Sequence, residues 1–230
     1  MISIKRGECP AVLNNATSDG NAYRDSTVIE ALSKMQHGKC CYCEKRIAES
    51  GHDRAVEHFR PQAKGAFPEL RNTWSNLLHA CAACNGKKAA HFPLDADGNA
   101  LLIDPSDPAI DPEDHIDFNV DDNDGINFGR IFAKKKNASQ FGAMTIETIG
   151  LDLVARRRER VSGYKNLYGA FIDILEAHDE TTRQQKVHAF EAMLGANNEY
   201  AAFARAFARW KQLDTRFGVR ICKGANIEPE

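Results

Sequence analysis

Two Cys-x-x-Cys pairs, Cys40/Cys43 and Cys81/Cys84, enclose Glu57-His58 and Asn76, and Asn85 follows the last cysteine directly. Four thiolates at such spacings suit one tetrahedral zinc. That zinc needs only the cysteines, so the residues between them require their own explanation. The Glu-His pair and the two asparagines suit a second, hard cation with a catalytic base beside it. Cys41, between two of the ligands, reads as a spare thiol.

Short elements must position these groups. Residues 22–37 predict a helix with Val28, Leu32 and Met35 on one face and Gly38 as its C-cap. Residues 39–48 predict a zinc knuckle, residues 49–53 a turn, and residues 55–59 a short strand that ends on the histidine motif. The side chains of residues 57 and 58 point to opposite faces of a strand, so both can serve one site only if the strand ends or bends there. Pro61 predicts such an ending, and residues 60–71, with two prolines and Gly65, predict a loop. A helix is expected from about Cys84 toward His91.

Farther on, Asp97-Gly98 and Asp124-Gly125 are hairpin-turn signals, with Ile116, Phe118 and Val120 before the second and Ile126 and Phe128 after it. This acidic stretch does not fit an EF-hand loop, because Val120 would be its first ligand and Ile131 would stand where a bidentate Glu belongs. From about Ala143 the pattern is helical. Val154, Val161, Tyr164, Tyr168, Phe171 and Leu175 form a stripe after Asp152 as N-cap. Val187, Phe190 and Leu194 form a second stripe, and Tyr200, Phe203, Phe207 and Trp210 a third. The expected class is α+β.

A chain of 230 residues with 27% charged and 43% hydrophobic side chains is globular and makes one domain or two small ones. Of seven cysteines, five lie between positions 40 and 84, which in a chain without an apolar secretory start reads as metal binding rather than disulfide formation. No stretch of about 18 apolar residues occurs, and a cytoplasmic location is expected. The net charge of −2 is unevenly spread. Residues 1–100 carry 13 basic and 11 acidic side chains, residues 101–126 nine acidic and no basic ones, and residues 127–230 seventeen basic and twelve acidic ones. A phosphate backbone is repelled by the acidic stripe and tolerated by either flank. The chain is not basic enough for a strong autonomous nucleic-acid binder, which points to a partner that holds the substrate.

The order C-x2-C, E-H-x-x-P, N, C-x2-C-N resembles the HNH endonucleases with a ββα-metal fold. The family's first His matches His58, its central Asn matches Asn76, and its last His-or-Asn matches Asn85; the acid before the first His, usually Asp, is here Glu57. The runs Lys39-Cys40-Cys41-Tyr42-Cys43-Glu44, Glu57-His58-Phe59-Arg60-Pro61 and Trp74-Ser75-Asn76-Leu77-Leu78 are closest to the branch found in Septu anti-phage systems and some retrons. The match covers roughly residues 22–105. The resemblance implies an HNH module at 1–105 with a four-cysteine zinc knuckle, followed at 106–230 by an acidic hairpin segment and a mainly helical region that docks a partner. It implies a nuclease in which His58 is the general base, Asn76 a positioning residue, and Glu57 with Asn85 the ligands of a catalytic Mg²⁺ or Mn²⁺. Cys40, Cys43, Cys81 and Cys84 would hold structural Zn²⁺. The implied partners are a PtuA-like ATPase and nucleic acid, DNA before RNA, with a reverse transcriptase and its RNA–DNA product in retron versions.

Plainer readings stand beside these. Asn85 at a helix start could be only a cap. Arg60, Lys87 and Lys88 are candidate phosphate contacts, although exposed lysines are usually just solvated. His79 and His91 read as bystanders or substrate contacts, the aromatic stripe at 200–210 as core or partner packing, and Arg156-Arg157-Arg158 with Arg160 as a helix surface. A non-catalytic zinc module and a stand-alone HNH restriction enzyme are the competing functions.

Overall fold

A computed structural model describes residues 1–48, 53–62, 66–134 and 140–221. Of the turn expected at 49–53 only Asp53 is described, and Gly65 and Cys222 lie outside the described residues. The first helix, α1, is Ser26–Met35. It is shorter than expected because the Asp25 carboxylate caps it, accepting from the Thr27 amide at 2.9 Å. Residues Ala22–Arg24 form a separate 3-10 turn before that cap. Its far end closes by bonds from His37 N–H to Lys34 O and from Gly38 N–H to Ser33 O, with His37 itself left-handed at φ 54° and Gly38 at φ 69°. The closing geometry thus needs two left-handed residues, and only the glycine announces itself.

Strand β1, Arg54–His58, pairs antiparallel with β2, Leu77–Cys81, and β2 runs straight into α2, Ala82–Lys88. Val56 faces His79 and His58 faces Leu77 across the ladder. Residues opposite one another share a face, so Val56, His58, Leu77 and His79 lie on one side, and Glu57, Leu78 and Ala80 on the other. The first side packs on α1 through Leu77, Val28, Leu32 and Tyr23. The second joins the main core. Helix α2 begins earlier than expected because the Cys81 sulfur is its cap, accepting from Cys84 N–H at 3.4 Å.

The acidic segment forms α3, Pro112–His115, and strands β3, Ile116–Phe118, and β4, Ile131–Ala133, which pair antiparallel. The return strand starts later than the Asp124-Gly125 signal implies. Asn119, Asp121 and Asp124 each turn a side-chain oxygen or amide onto nearby groups, including the bonds Asp121 N–H to Asn119 Oδ1 at 3.1 Å and Asn123 N–H to Asp121 Oδ1 at 3.0 Å. Such local bonds replace ladder pairing with successive turns, and Ile126 is left 84% exposed in the 3-10 turn Gly125–Asn127.

Helices α4 (Gln140–Ile149), α5 (Val154–Ser162), α6 (Tyr164–Leu175), α7 (Glu180–Met193), α8 (Ala201–Trp210) and α9 (Leu213–Phe217) complete the described chain. The stripe expected to start at Asp152 is divided between α5 and α6 at Gly163, and Val154 and Leu175 are exposed. Asp152 is not a cap. Its carboxylate accepts from Ile131 N–H at 3.0 Å and pairs with Arg130 at 3.0 Å, tying α5's approach to β4. The third stripe is core at Phe203 and Phe207, while Trp210 reaches the surface. One cluster of buried residues runs from Cys40 and Leu78 through Ile103, Phe118 and Ile149 to Phe207.

Helix α4 meets α3 at Gly142, where a Cβ would lie 2.3 Å from the His115 carbonyl oxygen. Gly142→Ala is expected to destabilise the chain by about 1–3 kcal/mol in urea unfolding. Gly169→Ala, in α6 with nothing within 4 Å of its Cβ position, is expected to be neutral or to stabilise by up to about 1 kcal/mol.

Candidate active site

The sulfurs of Cys40, Cys43, Cys81 and Cys84 all lie within 4.8 Å of one another and all four residues are buried. Cys43 Sγ and Cys81 Sγ are 3.9 Å apart, and tetrahedral Zn–S bonds of about 2.3 Å put sulfurs about 3.8 Å apart. The donor set therefore fits zinc. Cys41 is outside the cluster; its amide donates to the His79 carbonyl at 2.9 Å. A fifth group faces the sulfurs. Arg156, in α5, is 7% exposed and its Nη1 donates to Cys84 Sγ. Burial alone would lower its pKa, but the Cys84 and Cys43 thiolates hold it above the ordinary arginine value. The expected arginine surface is thus half wrong: Arg160 is buried too, donating to the carbonyls of Gly129 and Leu151.

His58 ends β1 with its ring edge-on to Tyr23, centroids 4.8 Å apart. Its Nε2 lies 2.8 Å from the Arg71 carbonyl oxygen. A carbonyl can only accept, so Nε2 carries the proton and the lone pair is on Nδ1. Burial lowers the pKa of His58 below its usual value, and the nearby Lys88 and Arg71 charges push the same way against the Arg71 hydrogen bond. The ring is consequently neutral at neutral pH.

Asn76, at the end of a 3-10 turn before β2, grips the chain just past the histidine. Its Oδ1 accepts from Arg60 N–H at 2.8 Å, and its Nδ2 donates to the carbonyls of Arg60 at 3.0 Å and Leu70 at 3.2 Å. Phe59 N–H adds a bond to the Asn76 carbonyl at 3.0 Å. The loop of residues 60–71 is closed at both ends by this one side chain.

Glu57 points the other way, into the core side of the sheet. It is 2% exposed, and its Oε1 pairs with Lys88 Nζ at 2.7 Å and accepts from the Tyr42 hydroxyl at 3.1 Å. Lys88, expected as a phosphate contact, is 1% exposed and also donates to the His58 carbonyl at 2.8 Å. It is therefore a buried partner of the motif. Burial raises the pKa of Glu57, opposed by Lys88. A cation already occupies the carboxylate assigned to a catalytic ion, so as built Glu57 does not fit as a ligand.

Asn85 sits in α2, half-buried, and among the described residues its side chain has no hydrogen-bond partner. It borders a cleft of about 350 Å³ with Tyr23, Arg54, Val56, Gln62 and His79. Arg60 is half-buried, its guanidinium 5.4 Å from the Phe67 ring centre and 5.2 Å from that of Phe92. Lys87 and His91 are exposed. His79 is buried with its pKa down to about 4, by burial first and then by Arg54. Sequence reasoning missed Tyr23, Arg71, Gln62 and Tyr42. Arg71 acts through its carbonyl, which no side-chain pattern reveals, and Tyr23 reaches the site from before α1.

Residues 40–91 match the HNH endonuclease family model, a stretch that takes in the β1–β2–α2 unit and the cysteine cluster. The chain is similar to two curated proteins, both named Septu protein PtuB. It is 36% identical over 126 residues to that of Bacillus thuringiensis, covering 50% of this chain and 46% of the relative. It is 28% identical over 222 residues to that of Bacillus mycoides (strain KBAB4), covering 76% and 71%. The chain thus aligns with about half the length of the first relative. Among the described residues no helix is long and apolar enough to cross a membrane.

Loss of one thiolate is expected to remove the metal and the fold together. Cys84→Ser should lower zinc content measured by atomic absorption and lose the cooperative thermal transition, because it leaves Arg156 without its partner as well. A second expectation concerns pH. His79 has a folded pKa below its unfolded value, so its neutral form stabilises the fold fully above about pH 6.5, and that contribution is lost as pH falls toward about 4. It amounts to about 3 kcal/mol. The difference in urea stability between the wild-type chain and His79→Gln should shrink by about that amount across this window.

Proposed function

We propose that the chain is a metal-dependent HNH endonuclease, the nuclease effector of a prokaryotic anti-phage system of Septu type. One observation carries the reading: His58 is held neutral at a strand end, with Nε2 donating to Arg71 O and Nδ1 left to accept a proton. That is the state a general base needs to take a proton from water attacking a phosphodiester. Asn76 serves as the positioning residue, since its three backbone bonds set the loop beside the ring. Arg60 and Lys87 supply positive charge toward the phosphate backbone. Cys40, Cys43, Cys81 and Cys84 hold structural zinc. Asn85, whose side chain has no hydrogen-bond partner among the described residues and borders the cleft, is the remaining ligand candidate.

The near-neutral chain borrows its grip on nucleic acid, DNA before RNA, from a PtuA-like ATPase. Residues 1–105 carry the chemistry, and 106–230, with the acidic segment, dock that partner. The name of both relatives supports the Septu assignment; neither name brings support for a retron reverse transcriptase.

His58→Ala, assayed with the ATPase partner on plasmid DNA, is expected to lower cutting by about 100-fold or more, with zinc content and circular dichroism unchanged. Normal cutting by this variant removes the nuclease assignment from this site. The acid limb of the wild-type rate profile should lie below about pH 6.5, because the depressed pKa keeps His58 deprotonated there.

A further inference from the structure

The cleft beside His58 is bordered by a hydroxyl that the HNH motif does not supply. We propose that Tyr23 is a further catalytic residue: its O–H donates a hydrogen bond to an oxygen of the phosphodiester whose attacking water is deprotonated by His58. The inference rests on the nuclease reading and deepens it by naming a group that meets the negative charge of the substrate.

Three observations converge. The first is place. The Tyr23 ring stands edge-on to that of His58, centroids 4.8 Å apart, and Tyr23 borders the cleft with Arg24, Arg54 and Gln62. Arg54, Val56 and His58 alternate onto one face of β1, so the cleft lies on the face that carries the base. Two arginines and no carboxylate are among its lining residues, a balance that favours an anion.

The second is the direction of the hydroxyl. Arg24 Nε donates to Tyr23 Oη at 3.0 Å, and Gln62 Nε2 donates to it at 3.3 Å. Both bonds are received, so the oxygen's own hydrogen points elsewhere. Among the described residues no acceptor takes it. Arg24 and Gln62 are therefore positioning residues, which fix the oxygen and leave the donor to the ligand. The third observation is acidity. Burial raises the pKa of Tyr23, but the bonds from Gln62 and Arg24 and the Arg24 charge bring it below the usual tyrosine value. A more acidic hydroxyl is a stronger donor, and a donor already in place stabilises the charge that gathers on phosphate oxygens as water attacks. The hydroxyl keeps its proton throughout; the proton of the attacking water goes to His58 Nδ1.

The test follows cleavage and binding of supercoiled plasmid DNA in parallel, with the ATPase partner present, for wild type, Tyr23→Phe and Arg24→Ala. Tyr23→Phe keeps the ring against His58 and removes only the oxygen. Its zinc content, circular dichroism and DNA affinity are expected to match wild type, while the rate at saturating DNA falls by about 100-fold or more. Arg24→Ala should slow the saturated rate several-fold in the wild-type background and add nothing to Tyr23→Phe. A Tyr23→Phe rate equal to wild type overturns the inference, as does a loss confined to DNA affinity. If Tyr23→Phe fails to fold, Arg24→Ala decides, because its side chain is exposed: an unchanged saturated rate overturns the inference. Failure of either kind leaves the nuclease reading standing, since His58→Ala judges that reading by itself.

Discussion

Four sulfurs converging on one point hold this molecule's chemistry in place. Cys40 and Cys43 come from the turn after α1, Cys81 from the end of β2, and Cys84 from the first turn of α2. None of these elements is long enough to be stable alone. A metal bound across them would fix where β2 stops and where α2 starts, and the Cys81 sulfur of that cluster also caps α2. The consequence reaches the histidine. Among the described residues β1 has only β2 as a strand partner, so the position of His58 depends on β2, and β2 ends on the sulfur cluster.

The same centre organises the charges around it. Buried ions are tolerated only when paired, and here every prominent one is. Lys88 meets Glu57 behind the histidine, Arg156 meets the Cys84 sulfur, Arg205 and Arg209 meet Glu113, and Lys39 meets Glu44. The last three reach between distant parts of the chain: α5 to α2, α8 to α3, and, through the bond from Ala202 N–H to Glu44, α8 to the turn that carries Cys40 and Cys43. Breaking one partner of such a pair costs more than the pair itself contributes. The helical region is therefore wired to the four-cysteine unit by directional bonds as well as by apolar contact.

The legible parts of the sequence were those that obey one local rule. Cysteine spacing located the four-sulfur cluster, and the short strand read before Pro61 located His58. The Val28/Leu32 period located α1. What escaped was decided by partners distant in sequence. Asp152 looks like a helix cap, but β4 claims its carboxylate. Lys88 and Arg156 look solvated because lysine and arginine usually are, and only the fold reveals that Glu57 and Cys84 lie opposite them. The acidic hairpin forms, as β3 against β4, but its return strand starts later than the turn signal implies because Asn and Asp turn their side chains onto nearby backbone.

Strand parity has one more consequence. Glu57 and His58 are neighbours in a β-strand, so their side chains must leave on opposite faces. One faces Lys88 and Tyr42 on the core side, the other Tyr23 and the Arg71 carbonyl. The strand ends at His58. Asn76 creates that end. By bonding both the amide and the carbonyl of Arg60, it turns the chain away two residues after His58. Lys88 then links the two faces, because it binds the Glu57 side chain and the His58 backbone at once. That single ammonium therefore ties the buried carboxylate on one face to the backbone that carries the His58 ring on the other.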